Sequence, residues 1–196
     1  MYELIILALL NNNATFHGYL IAKIINDIVG PYAKISNGRL YPLLAKLEKE
    51  GFITFAGEPG ELTPNARPVQ SYRITGPGRA RFYQLMMDVT SNPGDYQRIF
   101  YFKSGMLDMV PFGDRIKLID HYINYCHNQI FHLRTEREDL VVNAEERRKS
   151  TPVDRIVEMM AHRLRQWELE MEWALHLRKQ EIARYGKGEP VPDLPL

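Results

Sequence analysis

Residues Ser36 to Ile53, Ser-Asn-Gly-Arg-Leu-Tyr-Pro-Leu-Leu-Ala-Lys-Leu-Glu-Lys-Glu-Gly-Phe-Ile, constrain the fold more than any other stretch of the chain. Leu40, Leu43, Leu44 and Leu47 recur at three- and four-residue spacing and build one apolar stripe on a helix. Asn37, Arg39, Tyr41, Lys46 and Lys49 are distributed around the rest of its surface. Ser36 is a capping residue type, and Gly51 is the left-handed residue expected just past a helix end. Phe52-Ile53-Thr54-Phe55 then switches to a strand-like run. Pro42 has no amide hydrogen to give a helix interior, so the helix is expected to start near Ser36 to Gly38 and to bend at Pro42. A helix of this kind needs neighbours on its leucine side and offers polar side chains on the other.

The flanking segments supply those neighbours. Tyr2 to Leu10 reads as a short, mostly apolar helix ended by Asn11-Asn12-Asn13. A second helix is expected from Thr15 or Phe16 to Ile28, with Tyr19, Leu20, Ile24 and Ile28 at helical spacing and Gly30-Pro31 as its stop. Beyond the opening helix, Phe52 to Ala56 and Gln70 to Thr75 read as two short strands. They are joined by a long tip over 57–68 that contains Pro59, Pro64 and Pro68. Helix, helix, helix, strand, long loop, strand is the order of a winged helix-turn-helix. Gly78 to Ser91 forms a further amphipathic helix through Phe82, Leu85, Met86 and Val89, and Asn92-Pro93-Gly94 breaks the chain.

After that break the strand signals end. Long helices are expected over Asp95–Met109, Asp114–Arg148 and Val153–Tyr185, with a proline-rich tail from 186 to 196 expected to be unstructured. The middle helix carries Ile116, Ile119, Ile123, Cys126, Ile130 and Leu133, spaced three, four, three, four and three, which is a heptad seam. Arg137 interrupts it. The last helix carries a similar stripe through Met160, Leu164, Trp167, Met171 and Leu175. A helix of more than thirty residues, roughly 50 Å long, is not expected to bury such a stripe against a compact part of its own chain. A second subunit is the simplest cover, so a homodimer is predicted, with Ile116, Ile119, Ile123, Cys126, Ile130, Met160, Leu164, Trp167, Met171 and Leu175 at its interface. The fold class expected is mainly α: a winged helix-turn-helix domain over 1–92, a helical dimerisation domain over 93–185, and the tail.

Charge adds little. The formal net charge is +1, and the first 92 residues carry nine basic against seven acidic side chains. Nucleic-acid binding at this balance must rest on where the basic residues point. The single cysteine excludes an internal disulfide, and the apolar run Leu4 to Leu10 is too short to span a bilayer. A cytoplasmic location without membrane contact is expected. Cys126 with His121, His127 and His132 invites a metal site, but these spacings spread the side chains around the helix, and a buried thiol is the reading preferred. Exposure would instead make it an oxidant sensor.

Several words of the sequence together resemble the PadR family of transcriptional regulators. They are His17-Gly18-Tyr19, Leu40-Tyr41-Pro42 within Ser36-x-x-Arg39-Leu40-Tyr41-Pro42-x-Leu44-x-x-Leu47-x-x-x-Gly51-Phe52-Ile53, and Tyr72-Arg73-Ile74-Thr75-x-x-Gly78. The resemblance covers residues 1 to about 90 closely. The helical second half is similar in length and helix pattern to the virulence-activator-like domain of longer members. Membership implies a dimeric regulator, a repressor or an activator, that sets two recognition helices into successive major grooves of an operator in double-stranded DNA. The contacts it implies are Tyr19, Lys23, Lys34, Ser36, Asn37, Arg39, Tyr41 and Lys46, with Arg67 and Arg73 in the wing. Arg39 and Asn37 have the chemistry to read base edges, and the lysines and wing arginines suit phosphates. Glu58 and Glu61 oppose deep insertion of the wing tip.

Some members of that family respond to phenolic acids or aromatic drugs. Candidates for an aromatic-lined effector site are Phe16, Tyr101, Tyr122, Trp167 and Trp173, with Phe100 and Phe112 beside them and Arg98 or Lys103 to hold a carboxylate. Each residue also has a plainer reading: a solvated helix face for Arg39, Tyr41 and Lys46, helix packing for Tyr19, and interface packing for Trp167 to Trp173. The competing function is a winged-helix protein-interaction module. No Gly-rich phosphate loop, zinc-like cluster or nucleophile motif is present, so neither an enzyme nor a cofactor is expected.

Overall fold

The computed structural model describes residues 1–11, 14–56, 71–147, 153–185 and 187. The hairpin tip over 57–68, with Glu58, Glu61 and Arg67, lies outside the described residues, as does the tail apart from Lys187. The chain divides into two compact units, Met1–Met109 and Val110–Leu196. Among the described residues no helix is long and apolar enough to cross a membrane.

The first unit runs α1 (Tyr2–Asn11), β1 (Phe16–His17), α2 (Gly18–Val29), α3 (Asn37–Lys49), β2 (Ile53–Phe55), β3 (Ser71–Ile74), α4 (Gly76–Met87) and α5 (Tyr96–Ser104). Between Leu4 and Leu10 α1 has no polar residue, and all of that stretch but Leu9 is buried. A helix apolar on every side is a core element, and α1 packs on α2, α4 and β3. Onto this core α2 places Ile21, Ala22 and Ile25, α3 places Leu40, Leu44 and Leu47, and α4 places Phe82 and Met86. Burying each leucine contributes roughly 1.5–3 kcal/mol. The expected leucine stripe is therefore the packing face of α3, with Leu43 half-buried at its edge. Gly51 follows at φ 76.

The antiparallel sheet has three strands in the order β1-β3-β2, one more than the sequence signals. β1 is two residues long, paired Phe16 to Tyr72 and His17 to Ser71, which is too short to leave a periodic pattern. The wing's exit is fixed by Thr75. Its hydroxyl oxygen accepts from the Gly78 amide at 3.1 Å and its hydrogen goes to the Gly51 carbonyl at 2.6 Å, which joins the end of the wing to the end of α3. A Cβ on Gly78 would lie 1.9 Å from the Phe52 carbonyl oxygen, so only glycine lets α4 run this close. α4 ends at Met87, four residues before the sequence suggests, because the Asp88 carboxylate accepts the Thr90 and Ser91 amides and turns the chain. α5 buries Tyr96, Phe100, Phe102 and Lys103 within this unit. By contact the chain thus divides at Met109, beyond the break at Asn92-Pro93-Gly94.

The second unit is α6 (Phe112–Val142), the short α7 (Ala144–Arg147) and α8 (Val153–Tyr185). α6 stops at Val142 because Asn143 caps it, with its side-chain amide donating to the Asp139 carbonyl at 3.1 Å and to the Asp139 carboxylate at 2.8 Å. Partners along α8 descend in number as those along α6 rise: Arg115 with Glu181, Asp120 with Arg178, Tyr125 with Trp167. The two long helices are therefore antiparallel neighbours.

That pairing corrects the expectation that the α6 seam lacks a cover in its own chain. Ile116, Ile119, Ile123, Cys126 and Ile130 are all buried within one protomer. The cover is a helix of equal length, not a compact body, and apolar spacing along α6 does not distinguish a helix of the same chain from one of a second chain. Of the expected α8 stripe, Trp167 is buried, Met160, Leu164 and Met171 are partly buried and Leu175 is exposed, and Ala174, Arg178 and Glu181 are buried on the same side. Polar groups join the apolar ones there. Arg178 Nε donates to Asp120 Oδ1 at 2.6 Å, Arg115 pairs with Glu181 at 3.3 Å, and the Tyr122 hydroxyl donates to Glu170 at 2.6 Å. Buried charges persist only when paired, so these contacts fix the rotation of α8 on α6.

Candidate nucleic-acid interface

The leucine side of α3 is spent on the core, so its opposite side is what the first unit presents. Gly38, Pro42, Ala45 and Lys49, at helical spacing, are exposed along that side, and Asn37, Arg39, Tyr41 and Lys46 flank them, also exposed. Gly38, Pro42 and Ala45 on this line are small or apolar, which lets the α3 backbone approach a flat or grooved partner closely over its first two turns, while donors stand at the margins and at Lys49. That central line is the complement of the leucine stripe, and the sequence reading passed over it because it sought hydrogen-bonding side chains.

Two turns set the angle at which α3 stands. The Asn26 side chain accepts the Ile35 amide at 2.7 Å and donates to the Ile35 carbonyl at 3.3 Å, clamping the end of α2 to the approach to α3. Gly30, at φ 78, makes the bend between them. Tyr2 of α1 adds a hydroxyl bond to the Ala33 carbonyl at 2.8 Å. Ser36 starts α3 through its carbonyl, which accepts from Leu40 at 2.9 Å, and its hydroxyl makes no capping bond.

Tyr41 is the most constrained candidate. Its ring lies over Gly18 at the start of α2, and a Cβ there would sit 2.9 Å from Cε1 and 3.2 Å from the hydroxyl oxygen. The ring is still 47% exposed. The glycine of His-Gly-Tyr thus places an aromatic hydroxyl at the surface, a role the sequence reading did not assign. Tyr19, beside it, is 76% exposed, so the packing reading does not hold for this side chain. His17 Nδ1 lies 3.0 Å from the Ser71 hydroxyl, which ties this corner to the wing strand.

Arg39, exposed on α3, makes a contact that its spacing does not signal. Its guanidinium stacks over the Tyr2 ring, 5.5 Å from the centroid, leaning toward α1. Lys46 pairs with Glu50 at 3.7 Å across one turn, an exposed pair worth little in stability. Lys23 and Lys34 are exposed on and just beyond α2, and Arg73 is exposed on β3 opposite Thr54. Arg67 lies outside the described residues. The structure thus brings Tyr19, Tyr41 and Gly18 together at the corner of α2 and α3, with Lys23, Lys34, Ser36, Asn37, Lys46 and Arg73 as exposed polar groups of the same unit.

The effector candidates fall in both units. Lys103 is corrected outright: it is 1% exposed, and its ammonium donates to the Asp88 carbonyl at 2.5 Å. Burial holds its pKa down at about 8. Arg98 is exposed on α5. Tyr122, Trp167 and Trp173 belong to the second unit, where Tyr122 is fully buried against Glu170 and its pKa is pushed up by that burial. Trp173 meets Tyr122 edge-on, and Trp167 meets Tyr125 in the same way. They are packing residues of the helix pair. Phe16 and Tyr101 line neighbouring cavities of the first unit that share Ile28, Gly105 and Met106. Cys126 is buried, and burial pushes its thiol up to about 12, which removes the oxidant-sensor reading.

Residues 6–84 match the Transcriptional regulator PadR-like family. No curated protein matches the chain. Among solved structures the chain is similar to Bacillus subtilis PadR in complex with operator DNA, with 18% identity over 91% of this chain and 98% of that one and a TM-score of 0.40. It is similar to the same protein in complex with p-coumaric acid, with 20% identity, coverage of 91% and 94%, and a TM-score of 0.38. For the PadR-like transcriptional regulator BC1756 from Bacillus cereus the values are 22%, 94%, 99% and 0.36.

Proposed function

Because residues 6–84 match the PadR-like family of transcriptional regulators, we propose that this chain binds a two-fold operator in double-stranded DNA as a homodimer and acts as a repressor that a small aromatic effector releases. The observation that carries this reading is the outward face of α3, bare at its centre and flanked by donors, with Tyr41 seated on Gly18 beside it. A helix with small residues at its centre enters a major groove deeply, and its flanking groups then reach base edges and phosphates. Asn37 is the base reader of this arrangement. Tyr19, Lys23, Lys34, Ser36, Tyr41, Lys46, Arg67 and Arg73 hold the backbone, and Arg39 contributes from its stack on Tyr2.

The winged region up to residue 92 does the binding, and α6 with α8 makes the dimer. Since the α6 seam is already buried, the dimer contact falls to what the α8 stripe keeps accessible, the exposed Leu175 and the part-exposed Met160, Leu164 and Met171. Two-fold symmetry then presents two copies of α3 to half-sites one helical turn apart, about 34 Å.

Fluorescence anisotropy on DNA from upstream of the protein's own gene, at graded salt, tests this. Phosphate contacts release counterions, so affinity should fall steeply with salt, and Asn37→Ala should cost about 1 to 3 kcal/mol at the preferred sequence. Absence of binding to any DNA at low salt would turn the reading toward a winged-helix protein-interaction module.

A further inference from the structure

The first unit contains two adjoining apolar cavities of about 370 Å³ and 330 Å³. Ile28, Gly105 and Met106 line both, so they are two lobes around one shared wall. One lobe ends at Phe16 of β1, the other at Tyr101 of α5. Tyr101 is 63% exposed and Ile28 is 42% exposed, which marks the open side. Each lobe lies at the lower end of the size range of small-molecule sites. Among the described residues no charged side chain lines either lobe; the polar groups are the hydroxyls of Ser104 and Tyr101. The Ser104 hydroxyl already donates to the Tyr101 carbonyl at 2.8 Å, which leaves its oxygen to accept.

We infer that these lobes form one binding site for an uncharged, flat aromatic molecule bearing a single hydroxyl. A carboxylate brought here would leave water for an apolar wall without a cation to meet it. The two cations nearest in sequence do not line the lobes: Lys103 faces a separate 50 Å³ cavity beside Asp88, and Arg98 lines none of these cavities. The site thus rejects aromatic acids by omission of a partner, and selects by shape plus one hydrogen bond.

The position of the site also gives it a route to the surface described above, and this part rests on the DNA-binding reading. Ile28 belongs to the last turn of α2, whose first turn carries Tyr19 and Gly18, and Phe16 stands two residues before Gly18. A ligand that spreads Phe16 from Ile28 therefore shifts α2 and the seat of Tyr41 with it.

The test uses the full chain with 2-naphthol and 2-naphthoate as probes, in isothermal titration calorimetry without DNA. Saturable binding of 2-naphthol at one per chain is expected, with 2-naphthoate at least about tenfold weaker. Ile28→Arg, at a part-exposed position that tolerates a long side chain, should reverse that preference, and Ile28→Trp should abolish both by filling the shared wall. Thermal melting of each variant within a few degrees of the parent shows that the fold is kept. Equal binding of both probes, binding of neither, or 2-naphthol binding unchanged in Ile28→Trp overturns the site. Operator anisotropy repeated with saturating 2-naphthol reads the second part separately. Binding of the probe by a chain that binds no DNA upholds the site and removes the DNA reading. Unchanged operator affinity in a chain that binds both removes the coupling.

Discussion

Gly18→Ala isolates the contribution of the Tyr41 seat to operator binding. The added methyl would lie 2.9 Å from Cε1, 3.3 Å from Cζ and 3.2 Å from the hydroxyl oxygen of Tyr41. Carbon atoms in contact prefer about 3.5 to 4.0 Å, so the ring must retreat by roughly 0.5 to 1 Å. It can, because nearly half of it is in solvent. The cost to folding is therefore small. Alanine also favours the first turn of α2 by up to about 1 kcal/mol over glycine, so stability should stay within about 1 kcal/mol of the parent. The hydroxyl, in contrast, moves out of reach of the phosphate that the proposed DNA-binding reading has it meet. A hydrogen bond to a charged group is worth about 1.5–3 kcal/mol, so the operator dissociation constant should rise roughly 10- to 150-fold at fixed salt. Anisotropy gives the affinity, and circular dichroism melting gives the stability. The double variant with Tyr41→Ala closes the cycle, since Gly18→Ala should have no further effect once the ring is gone. Parental affinity in Gly18→Ala, or an equal penalty in the Tyr41→Ala background, would refute the seat as a positioning device.

Three other outcomes follow from buried groups. Asp120→Leu removes the carboxylate beside the buried Arg178 guanidinium and should cost about 3–5 kcal/mol in urea unfolding, whereas Asp120→Leu with Arg178→Leu should recover most of that loss; equal loss in the double variant would mean that packing, not charge, is at stake. Lys103→Met removes an ammonium whose pKa burial lowers to about 8. The unfolded chain binds more protons than the folded one between about pH 8 and 10, so this group's contribution to stability rises with pH in that window and is least favourable below it. Set against a lost hydrogen bond of about 1 kcal/mol, the variant should be more stable by about 1–2 kcal/mol at pH 7 and lose that advantage by pH 9.5, and an advantage flat in pH would contradict the linkage. Cys126, buried with its thiol raised to about 12, should react with a thiol reagent only as fast as the chain opens, so labelling in buffer at the rate of labelling in urea would show the burial to be wrong.

What was legible in the chain was periodic. The leucines of α3, the all-apolar α1 and the full extent of α8 carry their positions in the spacing of apolar residues. Gly51 and the Thr75 to Gly78 exit carry theirs in backbone chemistry. What was not legible came from pairings between distant residues. β1 exists because Phe16 and His17 meet Tyr72 and Ser71, and two residues have no period of their own. The end of α4 depends on Asp88 accepting amides, and the retreat of Lys103 from any ligand depends on the Asp88 carbonyl. The chemistry of Arg39 can be read from its letter, while its stack on Tyr2 cannot.

The α6 seam shows how a correct pattern can support a wrong assignment. The α6 heptads are real, but a heptad seam states only that a helix of matching length lies alongside, not that it comes from another chain. α8 supplies that helix. Met160, Trp167, Ala174 and Glu181 lie seven residues apart, and so do Leu164, Met171 and Arg178, so apolar and charged groups share the side of α8 that turns to α6. The ion pairs interrupt an apolar seam that continues on either side of them. The proposed homodimer then has to use what the helix pair leaves uncovered, Leu175 and the part-exposed Met160, Leu164 and Met171. Leu175→Asp should therefore raise the dissociation constant of that dimer by sedimentation and leave the melting of the protomer unchanged. A dimer as tight as the parent's would place the contact elsewhere.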